Sequence, residues 1–193
     1  MLKDVYEPSD DTWLAAGLLG SIKTSLGRRL KTCADIGSGT GFLGLYTLVA
    51  GICEKTVFVD VYDNALLNTR LNVDLNGLGS RGLVVSSTDG LHDSSFQLVV
   101  SNPPYLPGVP GNEYEASLYA GPRGFEVIVD VVREAYRLLV EGGLLVLVYS
   151  SLSNTEVVEG EISKRFKVRE VKVKRFFFEE LKGVVLEKKS GGS

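Results

Sequence analysis

The 193-residue sequence predicts an α/β fold, a parallel sheet with helices on both faces and an antiparallel hairpin at one edge. Two observations predict it. Short apolar segments of strand length alternate with segments of helix length as far as residue 165. The last two strand-like segments, 167–177 and 183–188, have no helix-length insert between them, so they should pair as a hairpin. Without an internal repeat, we expect one domain over 1–189 and a flexible tail over 190–193.

Hydrophobic periodicity places the individual elements. Residues 12–25 are amphipathic and predict an opening helix capped by Asp10 or Asp11. The helix at 63–76 is predicted from leucines at helical spacing, namely Leu66, Leu67, Leu71 and Leu75. The other expected elements are strands at 32–36, 56–60, 82–86, 97–101 and 144–149 and helices at 42–50, 125–140 and 155–165.

One connection is unusual. The segment 106–124 is long, rich in Gly and Pro, and shows no periodicity, so we expect no regular structure in it. Loops of this length in compact domains are usually functional or mobile.

The fourth strand is stopped abruptly by Asn102-Pro103-Pro104-Tyr105. The two prolines have no backbone N–H, which leaves nearby carbonyls free to accept hydrogen bonds from another group. Asn102 adds a side-chain carbonyl oxygen and Tyr105 a flat aromatic face. The four residues therefore predict a rigid pocket for a planar amino group, such as an amide or an adenine. The alternative interpretation is a strand followed by a proline-rich turn.

A glycine-rich turn follows the first strand. Asp35 ends that strand, and Gly37, Gly39 and Gly41 precede a helix. Such glycines let a ligand approach the backbone closely, and N–H groups at a helix start attract a carboxylate or phosphate. Asp60 ends the second strand, where a carboxylate can hold both hydroxyls of a ribose.

The overall charge gives little sign of a nucleic-acid-binding protein. A formal net charge of −3 and a pI near 5.3 argue against a general affinity for phosphate backbones. Lys and Arg are concentrated in 164–169 and 172–175. These residues form either a local basic stripe or a solvated strand edge. No apolar run approaches the ~20 residues of a membrane span. No signal peptide precedes Val5, so we expect a cytoplasmic protein.

The cysteines and the histidine predict no further chemistry. Cys33 and Cys53 lie in apolar segments without Cys-x-x-Cys spacing, so we expect neither a metal site nor a disulfide. His92 is the only histidine and is expected to be a loop residue, since one histidine cannot anchor a metal site.

Taken together, the glycine turn, Asp60 and the Asn-Pro-Pro-Tyr motif resemble a class I S-adenosylmethionine (SAM) methyltransferase, over about Val5 to Leu186. The opening segment Val5-Tyr6-Glu7-Pro8-Ser9-Asp10-Asp11-Thr12 is similar to the Y-E-P-x-x-D-T opening of the archaeal and eukaryotic branch of the HemK family. The resemblance implies a Rossmann-like, seven-stranded sheet. It also implies methylation of the glutamine in the Gly-Gly-Gln loop of class I peptide-chain release factors. The helical domain of the bacterial branch is expected to be absent, since only residues 1–31 precede the first strand.

The resemblance assigns cofactor contacts residue by residue. It implies that the backbone at Gly37 and Gly39 passes beneath SAM. Asp35 is expected to approach the methionine amino group, and Thr12 the methionine carboxylate. Asp60 is expected to approach the ribose hydroxyls, and Asp89 the adenine amino group. From the residues alone, Asp89 also fits a plain turn and Thr12 the first turn of a helix. The family usually has Asn two residues after the ribose carboxylate, where this chain has Tyr62.

For the reaction, the resemblance implies transfer of a methyl group to an amide nitrogen. The Asn102 side-chain oxygen and the Pro103 carbonyl are expected to accept from the amide N–H groups, with Asn102 also near the cofactor. Pro104 and Tyr105 are expected to pack against the flat amide. Orientation is the main effect in this scheme, so no catalytic His or Lys is required.

Two other functions fit the same residues. An adenine-N6 methyltransferase acting on DNA or RNA would use the same pocket for an exocyclic amine, although it needs a basic face and an extruded base. A module that binds SAM or a partner without turnover is the second alternative.

The family resemblance also implies a partner. Members of this branch work with a small zinc-binding activator subunit that docks near the second and third strands, and a heterodimer is expected. Apolar residues in these strands are consistent with a sheet edge that a partner covers. The alternative is that the protein's own helices cover these side chains. These residues are Val57, Phe58, Val59, Val61, Val84 and Val85.

Overall fold

The computed structural model describes residues 5–190, within which seven strands and six helices are found. The strands are β1 Leu30–Ile36, β2 Cys53–Val59, β3 Gly82–Val85, β4 Phe96–Ser101, β5 Leu139–Ser150, β6 Phe166–Arg175 and β7 Glu180–Lys188. The helices are α1 Asp10–Leu26, α2 Phe42–Val49, α3 Asp63–Leu75, α4 Glu113–Ala116, α5 Glu126–Leu138 and α6 Thr155–Arg165. The predicted tail lies outside the described residues except for Ser190, and the single-domain assignment stays a prediction.

All seven strands form one sheet in the order β3-β2-β1-β4-β5-β7-β6. The first five strands in this order are parallel, and β7 runs antiparallel between β5 and β6. The predicted α/β sheet with a C-terminal antiparallel hairpin is therefore confirmed. The strand order reverses between β1 and β4, so their carboxyl ends flank the crevice where open α/β sheets bind ligands. We call this side of the sheet the carboxyl edge.

Helices cover both faces because successive residues of a buried strand point to opposite sides. On one face, Leu98 of β4 packs in a cluster with Leu19 of α1 and Leu43 of α2. On the other face, the next residue, Val99, packs with Val132 of α5. All strand positions in these clusters are buried, so the sheet is a rigid support for the residues at its carboxyl edge.

The first helix begins at Asp10, and its N-cap residue is Ser9. The cap predicted at Asp10 or Asp11 is therefore wrong. Both carboxylates lie inside the first turn, where Asp10 forms an ion pair with Lys174 at 2.7 Å and Asp11 is buried. The backbone N–H of Ser9 donates to Thr12 Oγ1 at 3.3 Å, which fixes the entry of the chain into the helix.

Two other predictions need correction. The segment 106–124 is not structureless, since it contains α4 and two isolated bridges, Leu106 to Tyr119 and Gly108 to Gly121. The fifth strand starts at Leu139, before the predicted residue 144. Gly142, with φ 69°, allows an irregularity in which the pairing with β4 shifts register.

Cys33 and Cys53 form a disulfide with their Cα atoms 6.2 Å apart, so the prediction that they do not pair is wrong. The residues are 20 positions apart in sequence, a spacing that matches no short cysteine motif. They meet because β1 and β2 are neighbouring parallel strands that the α2 crossover brings side by side. Both are fully buried on the sheet face that packs against α1 and α2.

Candidate active site

A cavity of about 300 Å³ opens at the carboxyl edge, above the point where the strand order reverses. Strands β1 and β2 and the residues that follow β4 line it, together with residues of the opening segment and of α4. Eight predicted site residues line it, namely Thr12, Asp35, Gly37, Gly39, Asp60, Asn102, Pro103 and Pro104. Two predicted residues do not line it, namely Asp89 and Tyr105.

Asp35 is a buried carboxylate at the end of β1. Its Oδ2 accepts a hydrogen bond from the backbone N–H of Gly44 at 2.8 Å, in the first turn of α2. Burial raises the pKa of Asp35 to about 7; the Gly44 hydrogen bond lowers it, and the nearby Asp60 raises it further. This carboxyl is therefore partly protonated near neutral pH, and a cationic ligand would favour its charged form.

A glycine in α2 lets the helix approach Asp35 closely. A Cβ at Gly44 would lie 2.3 Å from the ring of Phe58 in β2, closer than real contacts allow. The absence of a side chain therefore seats α2 on the sheet with its N-terminus directed at Asp35. No sequence motif marks this glycine as different from its neighbours.

The glycine turn presents open backbone to the cavity. Gly37 and Gly39 have φ values of 71° and 53°, and a Cβ at either would meet no described atom within 4 Å. The N–H of Gly39 donates to Asp60 Oδ2 at 2.8 Å, and the N–H of Tyr62 donates to Asp60 Oδ1 at 3.2 Å. Asp60 therefore helps to hold the turn in place.

Asp60 keeps capacity for a ligand. Each carboxylate oxygen accepts one of these two backbone hydrogen bonds and has a second lone pair. The residue is 8% exposed, and burial raises the pKa of its carboxyl against the lowering effect of the backbone donors. The carboxylate is thus fixed in orientation and directed at the cavity that it lines.

Asn102 carries an unused hydrogen-bond acceptor. Its side-chain Oδ1 is buried and has no hydrogen-bond partner among the residues that the structure describes. Its Nδ2 donates to Thr12 Oγ1 at 3.5 Å, which links the amide to the first turn of α1. Buried polar atoms are nearly always paired, so an unpaired one beside a cavity marks a position for a donor from a bound molecule.

Tyr105 is held by Asp11, a buried carboxylate that the sequence marked only as a possible helix cap and as part of the opening motif. Its hydroxyl donates to Asp11 Oδ2 at 3.0 Å, and the hydroxyl of Tyr6 donates to the same oxygen at 2.9 Å. Burial, followed by the Asp11 charge, raises the pKa of both tyrosines. Tyr105 lines a second, smaller cavity of about 30 Å³ that it shares with Asn102 and the two prolines of the motif.

The segment 106–124 closes one side of the main cavity. Glu113, Ala116 and Ser117, in or next to α4, line it. The side-chain Nδ2 of Asn64 donates to Glu113 Oε2 at 3.2 Å, which ties α4 to the first turn of α3. The sequence marked this loop only as functional or mobile, and its lining residues were not predicted.

Asp89 lies outside the cavity. Its side chain is exposed, and its backbone N–H donates to Ser87 Oγ at 3.1 Å in a local turn. The structure does not bring Asp89 together with the other predicted site residues. Its contact with an adenine amino group stays a prediction.

Within residues 5–190, no cluster of three or more His, Cys, Asp or Glu side chains is placed to hold a metal ion. In the same part of the chain, every helix is too short or too polar to cross a membrane.

Solved structures identify the class of fold. The chain superposes on ribosomal protein L11 methylase from Lactobacillus delbrueckii subsp. bulgaricus with a TM-score of 0.71 and 19% identity, over 96% of this chain and 82% of that one. The fold is thus that of the class I methyltransferases. More specifically, the chain belongs to the methyltransferase small domain family, whose model matches residues 16–179.

Sequence relatives agree with the HemK resemblance. Methyltransferase HEMK2 of Mus musculus is 28% identical over 86% of this chain and 79% of its own length. A Methanocaldococcus jannaschii protein, provisionally named protein N5-glutamine methyltransferase, is 26% identical over 86% of each chain. The release factor glutamine methyltransferase of Deinococcus radiodurans is 36% identical over 58% of this chain. The chain spans less than half of the length of that enzyme and of the Caulobacter vibrioides one, 43% and 42%.

The family and fold identify S-adenosylmethionine as the cofactor, and the cavity fits it. Asp35 would supply a carboxylate for the methionine amino group, and Asp60 would supply a fixed acceptor for the ribose hydroxyls; both roles stay predictions. The open backbone at Gly37 and Gly39 leaves the space that a cofactor lying against the turn requires.

Proposed function

We propose that the protein is a SAM-dependent N-methyltransferase that methylates the glutamine side-chain amide of the Gly-Gly-Gln motif in a class I peptide-chain release factor. The observation that carries the proposal is the buried, unpartnered Oδ1 of Asn102 at the edge of the cavity. A primary amide offers two N–H donors and a flat shape, which match this acceptor and the rigid prolines beside it.

The reaction requires an amide nitrogen to act as a nucleophile. Its lone pair is delocalised into the carbonyl, so the amide must be held and polarised. In this scheme, Asn102 Oδ1 and the Pro103 carbonyl accept hydrogen bonds from the two N–H groups of the amide. These hydrogen bonds draw electron density to the nitrogen and direct its lone pair across the cavity. The cofactor supplies an electrophilic methyl group on a sulfonium. With SAM bound, a nitrogen–carbon bond would form as the carbon–sulfur bond breaks, the thioether product of the cofactor would leave, and one amide proton would pass to solvent.

Orientation is the main contribution of the protein in this scheme. Well-oriented reactants can lower a barrier by ~7–11 kcal/mol at the upper end, whereas a general base supplies ~10²–10⁴-fold. Tyr105 is an unsuitable base because burial raises its pKa and its proton is directed at Asp11. The main role of Tyr105 is to fix the end of the Asn-Pro-Pro-Tyr motif.

Several findings support a protein acceptor over a nucleic acid. The Deinococcus radiodurans relative is named for release factor glutamine. The basic residues of β6, which are the strongest local positive charge, are largely occupied by ion pairs with neighbouring carboxylates. A translation factor as acceptor places the activity in the cytoplasm.

Methylation assays with labelled SAM test the proposal. We expect label to enter an unmethylated class I release factor and not the same factor with the Gly-Gly-Gln glutamine replaced by asparagine. Single-stranded and duplex DNA and RNA serve as parallel acceptors. Labelling of adenine in nucleic acid, with none in the release factor, would establish the adenine-N6 activity instead. Tight SAM binding without any transfer would indicate the non-catalytic module.

We further propose that a partner subunit covers the β3 edge of the sheet, as the resemblance implies for a zinc-binding activator. Phe58 and Val59 of the predicted apolar edge are buried by the protein's own helices. Exposed leucines near this edge support the partner instead. Three of them lie on α3, namely Leu67, Leu71 and Leu75 at 49%, 44% and 82% exposure, so most of the predicted leucine stripe of that helix faces outward. The fourth is Leu83 of β3, at 57% exposure.

Co-expression with a candidate activator tests this partner. The isolated chain is expected to bind SAM weakly or to aggregate, and to gain solubility and activity in the complex. A monodisperse, fully active monomer would show that no partner is needed.

A further inference from the structure

The turn between β6 and β7 displays three consecutive phenylalanines. Phe177 and Phe178 are 91% and 86% exposed, and Phe176 is 42% exposed. The rings of Phe177 and Phe178 contact each other edge to face with centroids 4.6 Å apart. Two nearly uncovered aromatic rings side by side are unusual on a protein surface and are typical of interaction sites.

This turn, residues 176–179, lies at the carboxyl edge, on the same side as the candidate active site. Leu181 of β7 pairs with Ser150 at the end of β5, so the turn projects beyond that end. Ser150 Oγ donates to Glu179 Oε1 at 2.6 Å. Three residues along, Ser153 Oγ donates to the backbone carbonyl of Tyr105 at 3.1 Å. The aromatic turn is therefore connected by short hydrogen-bonded steps to the motif that is proposed to hold the acceptor amide.

The turn is anchored at its base. The N–H of Phe176 donates to the carbonyl of Glu179 at 2.7 Å. Ser151 and Glu180 are joined twice, since the Ser151 N–H donates to the Glu180 carbonyl at 2.8 Å and the Glu180 N–H donates to Ser151 Oγ at 3.0 Å. The Phe177 and Phe178 rings thus project from a fixed backbone, which reduces the entropy lost when a partner binds them.

The charges around the turn are already neutralised. Lys174 pairs with Asp10 at 2.7 Å, and Arg175 pairs with Glu180 at 2.8 Å. Further along β6, Lys172 pairs with Glu170, and Arg169 pairs with Glu187. A phosphate backbone or an anionic membrane needs free cations for its affinity, whereas an apolar protein surface does not. The surroundings of the turn therefore favour a protein partner.

We propose that Phe177 and Phe178 dock the acceptor protein, against an apolar part of its surface outside the methylated glutamine. The inference rests on the proposed function, and it adds that recognition extends beyond the Asn-Pro-Pro-Tyr pocket. A glutamine side chain alone offers that pocket few contacts, so binding at the aromatic turn supplies selectivity for a folded protein over a free peptide.

The test compares the double variant Phe177→Ser/Phe178→Ser with Val49→Ser. Val49 is 69% exposed at the end of α2, on the opposite edge of the sheet, and serves as the matched control. Methylation is measured on an intact, unmethylated class I release factor and on a short peptide containing its Gly-Gly-Gln sequence. For the double variant, KM for the intact factor is expected to rise about 30-fold. Its kcat, its SAM affinity and its rate on the peptide are expected to match wild type.

The outcomes separate this inference from the proposed function. An active wild-type enzyme with an unchanged KM in the double variant would overturn the inference alone. Equal losses on the factor and the peptide would also overturn it, because the turn would then act on the fold or the chemistry. Binding of single-stranded RNA or anionic vesicles by wild type, lost in the double variant, would assign the turn to those partners. A wild type that methylates neither acceptor, both alone and co-expressed with the candidate activator, would reject the proposed function and the docking role together.

Discussion

The two halves of the candidate active site differ in how completely their polar groups are satisfied. On the cofactor side, Asp35 and Asp60 both accept backbone hydrogen bonds that hold them in place before any ligand is bound. On the acceptor side, Asn102 Oδ1 is buried with no partner among the described residues. Under the proposed function, the cofactor half is held ready for SAM, and the acceptor half keeps an unmet interaction that binding of the correct amide would satisfy.

The largest expected effect is that of replacing Asn102, which should impair methyl transfer without weakening cofactor binding. Asn102→Ala should lower kcat about 100-fold or more, because it removes an oriented contact to the reacting nitrogen. SAM affinity, measured by calorimetry, should stay close to wild type. A variant that retains more than half of the wild-type rate would contradict the pocket. Asn102→Asp is the sharper comparison, since it keeps an acceptor oxygen but adds a charge that should favour SAM and still impair methylation.

The reverse pattern is expected at Asp60. Asp60→Ala should weaken SAM binding by about 1.5–3 kcal/mol for each lost charge-assisted bond. Asp60→Asn is the matched control, because its side-chain oxygen can still accept from the N–H of Gly39 and hold the turn. Calorimetry gives the affinity, and circular dichroism checks that the fold persists. Unchanged affinity in both variants would remove Asp60 from the cofactor site.

A third comparison tests the packing that positions Asp35. Gly44→Ala should lower the free energy of unfolding by about 1–3 kcal/mol, because its Cβ would overlap the ring of Phe58. Gly17→Ala in α1 is the control, where a Cβ meets no described atom within 4 Å. That change should stabilise the protein by about 0.5–1 kcal/mol. Equal effects in thermal melts would show that α2 is not seated as closely as described.

The last comparison is a pH dependence. The pKa of Asp35 is raised from 3.8 to about 7, so the empty folded protein holds a proton there that the unfolded chain releases. Between these pH values the contribution of this group to folding stability falls as pH rises. SAM affinity should rise with pH across the same range, by at most about tenfold per pH unit, since the cofactor amino group requires the charged carboxylate.

Calorimetry in buffers of different ionisation enthalpy checks that dependence through proton release on binding. Asp35→Asn should abolish the dependence, whereas Asp89→Asn should preserve it because Asp89 is exposed and outside the cavity. Loss of the dependence in both variants would exclude Asp35 as its source.

Features that depend on residues close together in the sequence were predictable, and features that depend on distant residues were not. Strand and helix positions and the carboxyl-edge site residues were predictable, because alternating apolar segments and strand-terminal Asp and Asn residues are local signals. The Cys33 to Cys53 disulfide was not, since it depends on two strands becoming neighbours. The inward turn of Asp11 was missed for the same reason, because its partners include Tyr105, 94 residues away. The outward-facing leucines of α3 show that helical spacing alone does not say which face is covered.

The carboxylate of Asp11 has a practical consequence for producing the protein. It is 2% exposed and accepts from one tyrosine in the opening segment and from another in the acceptor motif. A truncation that removes residues 1–7 would delete Tyr6 and leave the buried carboxylate with two of its three hydroxyl donors, Tyr105 and Thr12. Recombinant versions should therefore keep that segment intact and carry purification tags at the other terminus.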